Sequence, residues 1–390
     1  MKYLLALLFC FTLAAQQTVN NFTVKTNLTV NGGGLLLIPP FSTSVSSITE
    51  PVQYQTFQRN ASITGPVYVS GTASGLSGQV IQARHSSGAW QTVGSTDIYG
   101  RFSGTITGSV GDGNLDVRIQ NAATYLTVQN VRVGDVFAIW GQSNGSGRLT
   151  SNQSYTNATV IASIFGNDYT WKNIEDPTDS NSGQIDTISS DSDALGMGSI
   201  WPIVADGWKN NVGTPIAFVQ CTKGATGFGL TQPSWIPGTN YFDRSTLFGS
   251  AMYRIQTVHG VRAILWWQGE GGFDDVTGMS YITPFTNMVT AVQSQFPSLK
   301  LVPCKLQQCV GVSNQRLTNG WYAIDRLWNE WPNLVYRGPT LADVPVGSAN
   351  NILAENEGTG LPYYHIKTST NGAAAAYRWL TNLTANFQTY

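Results

Sequence analysis

"VFAIWGQSNGSGRL", residues 136 to 149, sets an apolar run hard against a glycine and then offers one serine, Ser143, between Gln142 and Asn144. The run has strand length. Downstream, "TPIAFVQC", "VRAILWWQG" and "KLVPCKL" repeat that texture, while "SIWPIVADGWKNN", "STLFGSAMYRIQTVH", "YITPFTNMVTAVQSQF" and "AAAAYRWLTNL" have helical length and periodicity. Strands alternating with helices imply right-handed crossovers and a parallel sheet covered on both faces. Ligands on such sheets bind at the carboxyl ends of the strands, which is where Gly141, Gln142 and Ser143 fall. The question the stretch raises is whether Ser143 is a nucleophile or a polar turn residue.

Upstream the pattern differs. Between Pro51 and Val133, "VYVSGTAS", "GQVIQARH", "AWQTVGST", "GRFSGTITG", "LDVRIQ" and "YLTVQNVRV" follow one another at short intervals with Gly, Asn and Ser between them. Short alternating strands with such punctuation indicate a β-sandwich, read by itself as a packing or carbohydrate-binding module. Before it, "NFTVKTNLTVNGGG" reads as a short strand or stalk that dissolves into a glycine linker. The chain begins "MKYLLALLFCFTLAAQQ": one lysine, an apolar stretch too short to span a bilayer, then small residues, the anatomy of a secretory signal peptide. The expected organisation is a signal peptide over 1–15, a strand and linker over 16–50, a β-sandwich over 51–133 and an α/β domain over 134–390. The expected location is secreted or periplasmic, without a membrane anchor.

With 390 residues the chain accommodates two domains of ordinary size. Charged residues make up only 11% and the formal net charge is −1, so no basic footprint for nucleic acid or anionic membranes exists. Cys304 and Cys309, in "CKLQQC", are spaced so that they could bridge in an oxidising compartment, leaving Cys221 free. No Cys and His spacing resembles a zinc site, and neither metal nor cofactor is expected.

An unassisted serine hydroxyl is a poor nucleophile at neutral pH; it needs a base for its proton and donors for the developing oxyanion. Only three histidines are present. His85 lies in the sandwich region, in "QARHSSG", where a surface or turn role is expected. His259 ends a helix at "TVHG", where a ring caps carbonyls. His365, in "LPYYHIKTSTNG", sits on a loop before the last helix and suits a base delivered from the far end of the chain. In "AILWWQGEGG", Gln268 and Glu270 follow a buried strand of the same sheet. An amide and a carboxylate at a strand end donate to an oxyanion and orient an imidazole, respectively; the bland alternative is that Glu270 caps the next segment. Gly224, in "VQCTKGATGFG", ends another strand and could turn its N–H into the site. Gln142, Asn144 and Trp235 are the expected substrate contacts, Trp235 through its ring face.

Taken in order, "VRVGDVFAIWGQSN", "CTKGAT", "WWQGE" and the late histidine of "YYHIKTSTNG" resemble the sialate O-acetylesterase and acetylxylan esterase group of the SGNH hydrolases. "YQTFQRN", "AWQTVGSTDIYGRFSGTI" and "LDVRIQ" are similar to the β-sandwich that precedes the catalytic domain in sialate O-acetylesterase relatives, so the resemblance spans residues 51 to 390. It implies a flavodoxin-like three-layer α/β/α domain, with Ser143 as nucleophile and His365 as base. The Ser143 and Gly224 N–H groups would line the oxyanion hole, with the Gln268 side chain where the superfamily usually has an asparagine. The implied reaction is metal-free hydrolysis of acetyl esters on a carbohydrate. Three departures stand out. The family's acid three residues before the histidine is replaced by Pro362, so the resemblance points to Glu270 of the "QGE" block, with Glu357 in reserve; Gly145 follows "GQSN"; and Gly271 and Gly272 follow "QGE". "GQSNG" also satisfies the nucleophile-elbow pattern G-x-S-x-G, but here the serine follows the first strand of the α/β region, with β-type sequence before it. The alternatives from other classes are a non-catalytic glycan-binding adhesin or phage-tail-like attachment protein, in which the 16–50 stretch pairs between chains, and an esterase for longer acyl chains.

Overall fold

The computed structural model describes residues 27–30, 34–37 and 44–389, except 62, 76, 155–160, 180–184, 192–193, 195, 229–233, 271–274, 308–313 and 345–364. The expected signal peptide, Cys309, Glu357 and Pro362 lie outside the described residues.

Fifteen strands are found among them. β1 (Asn27–Val30) and β2 (Gly34–Leu37) form an isolated antiparallel pair. β3 (Val45–Glu50), β4 (Thr56–Gln58), β5 (Thr64–Ala73), β6 (Val80–His85), β7 (Gln91–Ser95), β8 (Arg101–Ser109) and β9 (Gly111–Ile119) follow. β3, β5 and β8 make one antiparallel sheet; β7, β6 and β9 join the first half of β10 (Leu126–Gly141) in another. The strict in-out alternation of β5 buries Val67 and Val69 in a cluster with Phe57, Ile81, Leu115, Val117 and Val133, which is separate from the main core. Alternation puts every second side chain on one face, so one side of the sheet meets the core and the other meets solvent.

β10 changes character along its length. Up to Asn130 it is partly exposed; from Val131 every residue is buried, because Asp135–Gly141 pair in parallel with β13 (Ile216–Thr222) on one side and Phe137–Gly141 with β14 (Ala263–Trp267) on the other. β11 (Ala162–Phe165) and β12 (Trp171–Asn173) extend the sheet beyond β13, and β15 (Leu301–Pro303) extends it beyond β14. β10 thus belongs to both sheets, and the expected boundary at 133/134 falls inside a continuous strand. Gly134 sits there because a Cβ would lie 2.2 Å from the Pro215 carbonyl.

The helices are α1 (Ser143–Ser146), α2 (Trp201–Asn211), α3 (Leu247–Thr257), α4 (Met279–Gln295), α5 (Asn314–Glu330) and α6 (Ser369–Phe387). Thr246 and Thr368 cap α3 and α6 by accepting the N–H of Gly249 and Asn371. Neighbouring tryptophans of β14 diverge: Trp266 packs on Phe285 of α4, whereas Trp267 meets Trp201 of α2 and Trp379 of α6. Phe137 likewise meets Trp208 and Phe387, while Trp140 meets Phe248 of α3. Each such side chain contributes about 1.5–3 kcal/mol by burial. None of the described helices is long and apolar enough to cross a membrane.

At the start of the parallel half of β10, Asp135 is fully buried and accepts hydrogen bonds from Arg59 Nε (3.0 Å), Arg262 and Thr214 Oγ1 (2.9 Å). It joins the segment after β4 to the loop before β14. Asp135→Ala is expected to cost about 3–5 kcal/mol, since two guanidinium groups lose a buried carboxylate. A thermal melt should show a fall on the order of 10 °C.

Two histidine expectations need correction. His85 is not on the surface: it is 3% exposed and its Nε2 bonds the Val131 carbonyl at 2.9 Å. His259 does end α3, but its ring stacks on Tyr68 (centroids 3.8 Å apart) and meets Glu50 at 2.6 Å, tying α3 to β3 and β5. Both residues are held by tertiary contacts that local sequence does not encode. Cys304 is a buried free thiol, so it takes part in no disulfide.

Candidate active site

β10, β13 and β14 end level, with Gly141 opposite Thr222 on one side and Trp267 on the other. Gly141 has φ +133°, and a Cβ there would fall 2.1 Å from the Trp267 carbonyl, so only glycine permits the turn. The chain from β10 leads to β11 and β13 on one side, while the chain from β14 leads to β15 on the other. Adjacent strands whose connections diverge leave a crevice at their carboxyl ends. Gln142–Asn144 and Gln268–Glu270 both emerge into it.

Ser143 opens the single turn of α1 and is 4% exposed. His365 Nε2 lies 2.7 Å from its Oγ. His365 comes from the three residues before the Thr368 cap, and the chain there is pinned: Ile366 N–H donates to Asn144 Oδ1 at 3.1 Å, Ile366 is buried, and the Lys367 carbonyl accepts from the Thr150 N–H at 2.8 Å. A serine hydroxyl at this distance from an imidazole nitrogen can lose its proton as it attacks a carbonyl.

Glu270 is 7% exposed and is held by amides. Gln142 Nε2 donates to Oε2 at 2.5 Å, and Asn144 Nδ2 donates to Oε1 at 2.7 Å. Gln307 Nε2, anchored through its own oxygen to Trp267 Nε1, lies 3.4 Å from Oε1. Burial raises the Glu270 pKa above the usual carboxylate value; the Asn144 hydrogen bond, the charge of His365 and the Gln307 contact only partly offset it. Gln142 and Asn144, expected as substrate contacts, are therefore placed as the cradle of Glu270.

A second network supports α1 from beneath. Asp191 receives Arg148 Nη2 on both oxygens at 2.9 Å, Ser146 Oγ at 2.7 Å and the Gly224 N–H at 2.8 Å. Burial would raise the Asp191 pKa, but the Arg148 charge and these hydrogen bonds together hold it below the ordinary value. The Gly224 N–H, expected to face an oxyanion, is engaged by Asp191. Gln268 is 1% exposed and its Nε2 donates to the Thr226 carbonyl at 3.2 Å, using one of the two amide hydrogens. Trp235 is not a platform for sugar: it is fully buried, stacked on Trp140 (5.3 Å) and set edge-on to Trp266 (5.2 Å), with both ring faces inside the core. Sequence reasoning missed Arg148 and Gln307, although they fall in the stretches "VFAIWGQSNGSGRL" and "CKLQQC", and Asp191, which lies in an irregular segment without a motif.

Residues 133–333, a little over half of the chain, match the family model described as carbohydrate esterase, sialic acid-specific acetylesterase. The chain belongs to that family. Among solved structures, a carbohydrate acetylesterase from Xanthomonas citri superposes with a TM-score of 0.54 at 17% identity, covering 85% of this chain and 73% of its own. A protein from Arabidopsis thaliana gives 0.45 at 18% identity over 65% of this chain and 99% of its own. The crystal structure of NanS gives 0.46 at 10% identity over 66% of this chain and 98% of its own. No curated protein is a significant sequence match. Within the family region fall Ser143, Gly224, Gln268 and Glu270, whereas His365 lies beyond it.

Proposed function

We propose that this carbohydrate esterase is a secreted O-acetylesterase that removes acetyl groups from sugars, of the sialate or xylan type, through Ser143, His365 and Glu270. The observation that carries the reading is the 2.7 Å approach of His365 Nε2 to Ser143 Oγ across 222 residues of chain. His365 takes the Ser143 proton as Oγ attacks the acetyl carbonyl. The sugar hydroxyl then leaves with that proton, and water activated by the same imidazole releases acetate. Glu270 favours the imidazolium that forms in between. The oxyanion donors of this reading are the Ser143 N–H and the second hydrogen of Gln268 Nε2; Gly224 joins them only by giving up Asp191. The architecture that accompanies it is a β-sandwich around the Val67 and Leu115 cluster, followed by a three-layer α/β/α unit around β10.

Acetate release from acetylated xylan and from O-acetylated sialoglycan tests the reading. Release from at least one is expected, with p-nitrophenyl acetate turned over faster than esters beyond butyrate. Binding to these glycans without acetate release overturns it in favour of an attachment protein. Gln268→Ala is expected to slow turnover by about a hundredfold or more, the loss typical of one oxyanion donor.

A further inference from the structure

We infer that Asn144 is a positioning residue that couples the acid to the segment carrying the base. Its amide is engaged at both ends. Nδ2 donates to Glu270 Oε1 at 2.7 Å, and Oδ1 accepts the N–H of Ile366, the residue after His365, at 3.1 Å. Asn144 is 4% exposed, and it follows Ser143 directly in α1. One side chain therefore sets the register between the acid that follows β14 and the loop that delivers the imidazole, from the turn that delivers the nucleophile. Gln142 lacks this second role: it holds the other oxygen of Glu270. The inference rests on the Ser143, His365 and Glu270 reading above.

The amide's direction matters because its two ends are unlike. Asn144→Asp preserves shape and the acceptor for Ile366 but turns the donor toward Glu270 into a carboxylate oxygen. Two carboxylates at that distance repel until they share a proton, which then restores a hydrogen bond between them. Among the described residues, the titratable groups whose charge is felt at Glu270, or that feel its charge, are His365, Cys304 and Tyr281.

Steady-state kinetics of the full-length enzyme on p-nitrophenyl acetate test the idea. Asn144→Ala is expected to lower kcat by about 10- to 100-fold with KM within threefold, as for a misplaced catalytic group. For Asn144→Asp, the ratio of its kcat to that of the parent should rise as pH falls from about 8 to 5.5, as the acid pair takes up its shared proton. A purely structural role predicts a flat ratio. Retention of kcat within threefold in Asn144→Ala, a change confined to KM, or a flat ratio in Asn144→Asp overturns the inference. If Asn144→Ala does not fold by near-ultraviolet circular dichroism, the isosteric aspartate decides alone. Failure of the underlying reading looks different, since Ser143→Ala would then remain active.

Discussion

Ser143→Ala is expected to lower hydrolysis of p-nitrophenyl acetate by at least about four orders of magnitude while leaving the thermal melt within a few degrees of the parent. The size of the loss follows from the geometry. The hydroxyl is the only atom removed, and it is the atom facing His365 Nε2. Water recruited by the imidazole gives only residual turnover. The fold is untouched because the turn is held by other contacts: Gln142 N–H to the Trp267 carbonyl, Gly147 N–H to the Ser143 carbonyl, and the Ser146 and Arg148 bonds to Asp191. Activity surviving at more than a few per cent, with the variant shown free of parent enzyme by mass, would move the nucleophile elsewhere.

Glu270→Gln is the second large effect, with kcat expected to fall by about 10²- to 10⁴-fold, as when the acid partner of a catalytic histidine is neutralised. The acid's charge falls on the imidazole, and the amides of Gln142, Asn144 and Gln307 fix where that charge sits. Stability should move the other way. A carboxyl whose pKa is raised by folding stabilises the native state below its unfolded pKa, and that contribution is lost as pH rises through the raised native value. At pH above that raised native value the charged Glu270 is therefore a burden on the fold. Glutamine, neutral at every pH, is expected to leave the melting temperature unchanged or higher there. In the parent, protonation of Glu270 should begin to reduce activity on the acid side at a higher pH than an ordinary glutamate would. A variant that is both inactive and markedly less stable would mean that the loss comes from misfolding. Glu357→Gln, on a residue outside those described, is expected to keep activity near that of the parent.

Much of the α/β scaffold was legible because its signals are local. Continuous burial of Val136–Trp140, Ile216–Val219 and Ala263–Trp267 appears in sequence as unbroken apolar runs, and four helices followed from periodicity. β11 and β12 were not legible. Each is only three or four residues long: β12 sits in a polar stretch and becomes a strand through pairing with β11, whereas β11 ends the apolar run "VIASIF", too short to stand out in a Ser- and Asn-rich region, and pairs with β13. α5 was also missed, although Leu317, Trp321, Ile324, Leu327 and Trp328 recur through it at helical spacing; contacts with α4 support it.

The motif residues were legible as chemistry, while their division of labour was not. Ser143 and His365 follow from the need for a nucleophile and a base in a chain with three histidines. That Gln142 and Asn144 face Glu270 rather than a substrate, that Gly224 serves Asp191 and that Trp235 lies in the core depend on which side chains a strand end turns toward. By itself the sequence determined the element types, the rim on which the site lies and the candidate groups, because burial and periodicity act over a few residues. Tertiary structure alone decided which partners those groups met, because hydrogen bonds such as Ile366 to Asn144 and Asn144 to Glu270 join positions over a hundred residues apart. Their geometry is set by the level ending of three parallel strands.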